Sequence, residues 1–190
     1  MSQKFNKFLF FGFLGWACSA AAFAQNQLMS LPQVVAASGT IFSGAVTKVW
    51  SAREAQTGFI VTYTQVKIAE ALRGVSGGQY TFKQYGGSAG GLNVWVADMS
   101  YFAVGEEIVA FLYPASALGF TSPIGTSEGK LLIQREVNTG KKMVAGNLLH
   151  AKMIASLLAP NARTQTRPAA PAAEYDRLIS LVREMVASQH

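Results

Sequence analysis

The sequence predicts a mainly β domain followed by a C-terminal amphipathic helix, and three observations predict it. Runs in which apolar and polar residues alternate, the period-two pattern of strands, recur between residues 41 and 144. Polar or Gly-containing breaks separate these runs at 51–58, 77–78, 86–91 and 138–140. From residue 174 the apolar spacing changes to i, i+3, i+4, i+7, the period of one helix face. A hydrophobic content of 50% and an aromatic content of 11% supply material for a core and exclude a chain disordered throughout.

The first 24 residues read as a secretory signal peptide. Lys4 and Lys7 precede an apolar stretch over 8–22, six of the 12 Phe lie in this segment, and it contains no acidic residue. Ala22, Phe23 and Ala24 offer the small-residue cleavage pattern ahead of Gln25. The apolar run is shorter than the ~18 residues expected of a spanning helix, so an uncleaved anchor is the weaker reading. Cys18 suggests lipidation, but Gly15 and Trp16 stand where a lipoprotein signal needs other residues. Cleavage removes Lys4 and Lys7, lowering the net charge from +6 to +4, and takes away Cys18, the sole cysteine. The expected exported protein is therefore held together by core burial, with neither disulfides nor a Cys-rich zinc site.

Residues 25–37 read as a polar and Ala-rich leader, and the β domain is expected over 38–146. Its first strand sets Phe42, Gly44, Val46, Lys48 and Trp50 against Ile41, Ser43, Ala45, Thr47 and Val49. The turn at 51–58 leads to a strand over 59–68, whose Ile60, Thr62, Thr64, Val66 and Ile68 share a face and whose β-branched content is high. Residues 69–74 end that strand, and Gly77 and Gly78 open a hairpin partner over 80–85. The segment 86–91 reads as a flexible Gly-rich loop, glycine being the residue that takes positive φ most readily. It runs into a strand pattern at 92–96 and lacks the Gly-Lys-Ser/Thr helix start that a phosphate loop needs. The continuous apolar run at 108–113 predicts a strand buried on both faces and closed by Pro114. A further strand over 125–135, a turn at 138–140 and a return through Met143 and Val144 complete the domain.

Residues 147–159 read as a short helix and 160–173, with Pro160, Pro168 and Pro171, as an extended linker. In the helix expected over 174–190, Tyr175, Leu178, Ile179, Val182, Met185 and Val186 face one way. That stripe either docks on the β domain or, carried on its tether, presents Tyr175, Leu178 and Val182 to a partner or to a membrane surface.

The ordered blocks Phe42-Ser43-Gly44-Ala45-Val46, Val61-Thr62-Tyr63-Thr64-Gln65-Val66, Leu72-Arg73-Gly74, Gly86-Gly87, Val104-Gly105-Glu106-Glu107 and Phe111-Leu112 resemble a family of uncharacterised secreted bacterial proteins. The block from Ile124-Gly125-Thr126 through Ser127-Glu128-Gly129-Lys130 continues the pattern. The arrangement is also similar to the netrin-like module of tissue inhibitors of metalloproteases, which implies a closed or nearly closed OB-type β-barrel. It covers about residues 40–135 and bears on fold more than on function. The inhibitors act through an N-terminal Cys on the protease zinc, and no position of the expected exported chain supplies one.

Catalytic chemistry finds few parts. Imidazole bases are limited to His150 and the terminal His190, and the context of His150 lacks a second His at metal-binding spacing. Asp98, Glu106, Glu107 and Glu128 are the carboxylates that acid/base work would draw on, but Glu106 and Glu107 sit in a turn. No calcium-loop spacing occurs, no Lys/Arg cluster is interleaved with stacking aromatics for nucleic acid, and no cofactor is expected. What remains is recognition. The expectation is a secreted, non-enzymatic module binding a protein such as an exported hydrolase, through Tyr85, Trp95 and Tyr101 or through the helix stripe. The alternative is a carbohydrate-binding protein or weak hydrolase using residues around 85–107.

Overall fold

The computed structural model describes residues 29–146 and 172–189. The expected signal peptide, the helix over 147–159 and most of the linker lie outside the described residues. Within them, nine strands and two helices run in the order α1 (Leu31–Ala37), β1 (Thr40–Arg53), β2 (Ile60–Arg73), β3 (Gly78–Tyr85), β4 (Gly87–Ala89), β5 (Leu92–Val94), β6 (Glu107–Leu112), β7 (Lys130–Arg135), β8 (Lys142–Ala145), β9 (Ala172–Glu174) and α2 (Tyr175–Ala187). The mainly β composition and the C-terminal helix are as the sequence predicts.

The leader is not featureless, because α1 occupies it. Pro32 sits in its first turn, Ser30 caps it by donating from its backbone N–H to Gln33 Oε1 at 2.8 Å, and Leu31, Val34 and Val35 share a buried face.

Seven strands form one antiparallel sheet in the order β3-β2-β1-β6-β7-β8-β9, and β4 pairs with β5 apart from it. The sheet is not closed into a barrel, which corrects the closed reading. Strands β7, β8 and β9 extend it beyond β6 instead of returning to β3, so β3 and β9 are its outer strands. Single bridges, Lys83 with Phe120 and Leu112 with Pro123, bring the loop after β6 against the far edge of β3.

Three strand boundaries also differ from expectation. β1 continues to Arg53, and β2 continues through 69–73, which the sequence reading placed beyond the strand. Ala71 and Arg73 pair with Phe42 and Ile41, so cross-strand pairing overrides a helix-favouring local composition. The strand expected from 125 begins only at Lys130, because 124–129 folds as a tight turn closed by Gly129 N–H donating to Ile124 O at 2.8 Å. At the other end of the domain, Ala173 belongs to β9, where it pairs with Val144 in place of continuing the linker.

Both faces of the sheet are covered. On one, Phe42, Val46, Val66, Phe82, Phe102, Ile108, Ala110 and Leu112 form a core. On the other, Ile41, Val109, Phe111, Leu131 and Val144 pack against Leu31, Val34 and Val35 of α1 and Tyr175, Leu178, Ile179 and Val182 of α2. Residues 108–112 of β6 are fully buried, as a two-sided strand requires. Arg73 ties the helices together: its guanidinium donates to Val35 O and Ser38 O at the end of α1 and to Gln189 beyond α2. A cation at a helix C-terminus also offsets the helix dipole.

Candidate functional site

One end of the sheet gathers aromatic side chains from five separate stretches of chain. Phe59 precedes β2, Tyr85 ends β3, and Phe120 lies on the loop after β6 that bridges to Lys83. Their rings pack mutually: Phe59 meets Tyr85 edge-on at 5.4 Å, and Phe120 stands 6.3 Å from each. Trp95, just past β5, meets Tyr101 edge-on at 4.8 Å. The Tyr101 hydroxyl joins the two groups by donating to Tyr85 O at 2.7 Å and accepting from Val96 N–H at 3.3 Å.

The backbone is built to bring these rings together. Gly86 and Gly87 follow β3 with φ of +96° and +133°, turning the chain back into β4. A Cβ on Gly86 would meet Tyr101 Oη at 2.5 Å, and one on Gly87 would meet Ser51 Oγ at 2.3 Å and Thr62 Oγ1 at 2.4 Å. Close approach, not looseness, is what the glycines provide. Thr62 then donates to Gly86 O at 2.7 Å and shares a 2.9 Å hydroxyl bond with Ser51, fixing β4 across the β1–β2 hairpin.

Exposure separates anchors from supports. Trp95 is 56% exposed, Phe59 42% and Tyr85 39%, while Tyr101 and Phe120 are half-buried beneath them. Leu92 on β5 and Leu118 beside Phe120 add exposed aliphatic surface. Polar groups at this end bond one another: Lys83 pairs with Glu54 and lies 4.6 Å from the Phe120 ring centre, and Ser88 pairs with Asn93. The Lys83 ammonium, helped by the Thr57 hydroxyl, holds the Glu54 carboxyl below its ordinary range.

The structure therefore brings Tyr85, Trp95 and Tyr101 into one cluster. It does not leave Tyr175, Leu178 and Val182 on the surface. These are 7%, 1% and 0% exposed and belong to the core with α1, because the helix lies on the sheet and its stripe is already covered. Phe59 and Phe120 escaped the sequence reading: Phe59 follows Gly58 at the head of a strand pattern, and Phe120 stands in an irregular loop.

Of the four candidate carboxylates, Glu106 and Glu128 are held against their own turns. Glu106 bonds Lys130 Nζ at 2.8 Å and the Ala103 N–H at 2.9 Å, and Glu128 is folded back onto the turn at Gly125. Among the described residues no group of three or more His, Cys, Asp or Glu is placed to hold a metal ion, and no helix is long and apolar enough to cross a membrane. His150 and His190 lie outside the described residues.

No family model, curated protein or solved structure matches the chain.

Proposed function

We propose that the chain is an exported, non-enzymatic binding module that recognises a protein partner through the aromatic end of its sheet. The observation that carries the reading is the exposed set Trp95, Phe59 and Tyr85, seated on Tyr101 and Phe120 and flanked by Leu92 and Leu118. Exposed aromatics held rigid by neighbours are the usual anchors of protein interfaces. Two polar pairs beside the rings, Lys83 with Glu54 and Ser88 with Asn93 Oδ1, are already engaged with each other, which favours a protein contact over a sugar. The partner class is another exported protein, an exported hydrolase being the case the netrin-like resemblance implies. The OB-type reading draws support from the β1-β2-β3 meander and from the bridges that bring the 120–123 loop between β3 and β6. The N-terminal segment supports export.

The test is capture of proteins from the native host's exported fraction on the purified chain, with Trp95→Ala and Phe59→Ala as variants. The chain recovered from periplasm or medium should have lost residues 1–24. Wild type should retain a defined partner, and each variant should weaken retention about thirtyfold with thermal stability unchanged. Equal retention by the variants defeats the surface assignment. Capture of no protein, with Trp95-dependent retention on a polysaccharide matrix, replaces the protein reading with a carbohydrate one.

A further inference from the structure

Away from the aromatic end, a cleft of about 270 Å³ opens on the helix-bearing face of the sheet, where α2 begins. Tyr175, the first residue of α2, reaches across the sheet to Ser43 on β1 and forms part of the cleft wall. The two hydroxyls share one 2.7 Å hydrogen bond, which uses one of their two protons. The other proton has no acceptor among the described residues. Ser43 is 0% exposed, whereas Tyr175 keeps 7% and lines the cleft. A spare proton on Ser43 would be sealed away from every acceptor, so Ser43 donates and the phenol O–H is the one left for the cleft.

Two opposite charges stand at this cleft. In the register of the sheet Ala45 pairs with Lys67 on β2 and with Glu107 on β6, so the three residues form one row on one face. The Cα atoms of Lys67 and Glu107 are therefore two strand spacings apart, about 10 Å, with only the Ala45 methyl between them. Both line the cleft, and among the described residues neither side chain makes an ion pair or a hydrogen bond. Ser43 lies two residues before Ala45 on β1, which sets the Tyr175 hydroxyl beside the same row. Ile133 and the Tyr175 ring supply apolar wall, and Lys142, 5.2 Å from the centre of that ring, adds a second ammonium.

We propose that this cleft binds a free aliphatic α-amino acid. Its carboxylate accepts from the Tyr175 O–H and the Lys67 ammonium, its own ammonium meets Glu107, and its side chain lies on Ile133 and the Tyr175 ring. Simpler ligands leave groups unmatched. An amine alone leaves the phenol proton and Lys67 without acceptors, and a carboxylate alone leaves Glu107 without a donor, whereas a zwitterion satisfies all three. The volume lies just below the ~300 Å³ at which pockets for drug-sized molecules begin, which limits the ligand to about one residue. The assignment is independent of the aromatic end and of any protein bound there.

The test is an amide NMR titration of the purified exported chain with L-leucine, which reads both the dissociation constant and its location. The amides of Ala45, Lys67 and Glu107 should shift and saturate with a dissociation constant of about 1 mM or below. 4-Methylpentanoate, which lacks the ammonium, and 3-methylbutylamine, which lacks the carboxylate, should each bind at least about tenfold more weakly. Lys67→Gln and Glu107→Gln should each weaken leucine about tenfold while leaving the melting temperature of the free protein unchanged, because both side chains are exposed or unpaired. Trp95→Ala should leave leucine binding as it is. The proposal is overturned by the absence of a saturable shift, by either half-ligand binding as well as leucine, by affinity that survives both charge substitutions, or by affinity lost with Trp95.

Discussion

The phenol of Tyr175 lies in the core and shares a 2.7 Å hydrogen bond with Ser43 across 132 residues of sequence. Burial pushes its pKa above the ordinary value, and the bond to Ser43 offsets part of the rise. A raised folded-state value means the neutral phenol is favoured in the fold. Its contribution is full below about pH 10, the unfolded tyrosine's value, and is lost as pH climbs through the folded one. Tyr175→Phe removes the titration but strands the Ser43 hydroxyl, which is fully buried. Urea unfolding should show a loss of about 1–2 kcal/mol at neutral pH, together with a smaller fall in stability toward about pH 11 than wild type shows. An unchanged neutral stability would mean the bond contributes nothing net. The sequence marks Tyr175 as part of an apolar stripe, because helix periodicity is local. Its partner is not legible, because nothing near Ser43 encodes which distant hydroxyl will reach it.

The β4–β5 hairpin shows what glycine spacing says and what it leaves out. Six residues with four glycines read as a flexible loop, yet Gly86 and Gly87 are positions where a neighbouring hydroxyl fills the space a Cβ would take. Gly87→Ala places a methyl 2.3 Å from Ser51 Oγ at a φ of +133°, which an L side chain rarely adopts. It should cost at least about 1–3 kcal/mol, read as a lowered melting temperature. Gly91→Ala, with open space around it, should cost less. Equal effects of the two substitutions would return the segment to a loop constrained only by its turns. The same limit accounts for the ends of β2 and β7. Residues 69–73 read as the end of a strand and 125–129 as the start of one, and in the two places cross-strand pairing and a tight turn decide otherwise. The aromatic cluster was half legible for a related reason: Tyr85, Trp95 and Tyr101 flank recognisable strands or glycines, whereas Phe120 is positioned by a bridge to Lys83.

At the scale of the whole molecule, the β class, the terminal helix and the two-sided burial of β6 follow from periodicity alone. The openness of the sheet does not, because alternation within a strand says nothing of which strand it lies beside. The order β6-β7-β8-β9 carries the chain away from β3, and its last strand hands directly into α2. Tyr175, Leu178, Ile179 and Val182 are worth about 1.5–3 kcal/mol each when buried, a sum of about 6–12 kcal/mol that approaches the whole stability of an ordinary domain. Truncation after Glu174 should therefore abolish cooperative urea unfolding and expose dye-binding apolar surface. A truncated chain that still unfolds cooperatively would demote α2 to an accessory. The helix that completes the core is also the last described element of the chain, packed on α1, the first. A ribosome adding about 5–20 residues per second thus releases Leu31, Val34 and Val35 several seconds before their covering exists. The nascent polypeptide cannot finish its second core ahead of its own synthesis, and under the export proposed above that delay would keep the chain unfolded for threading.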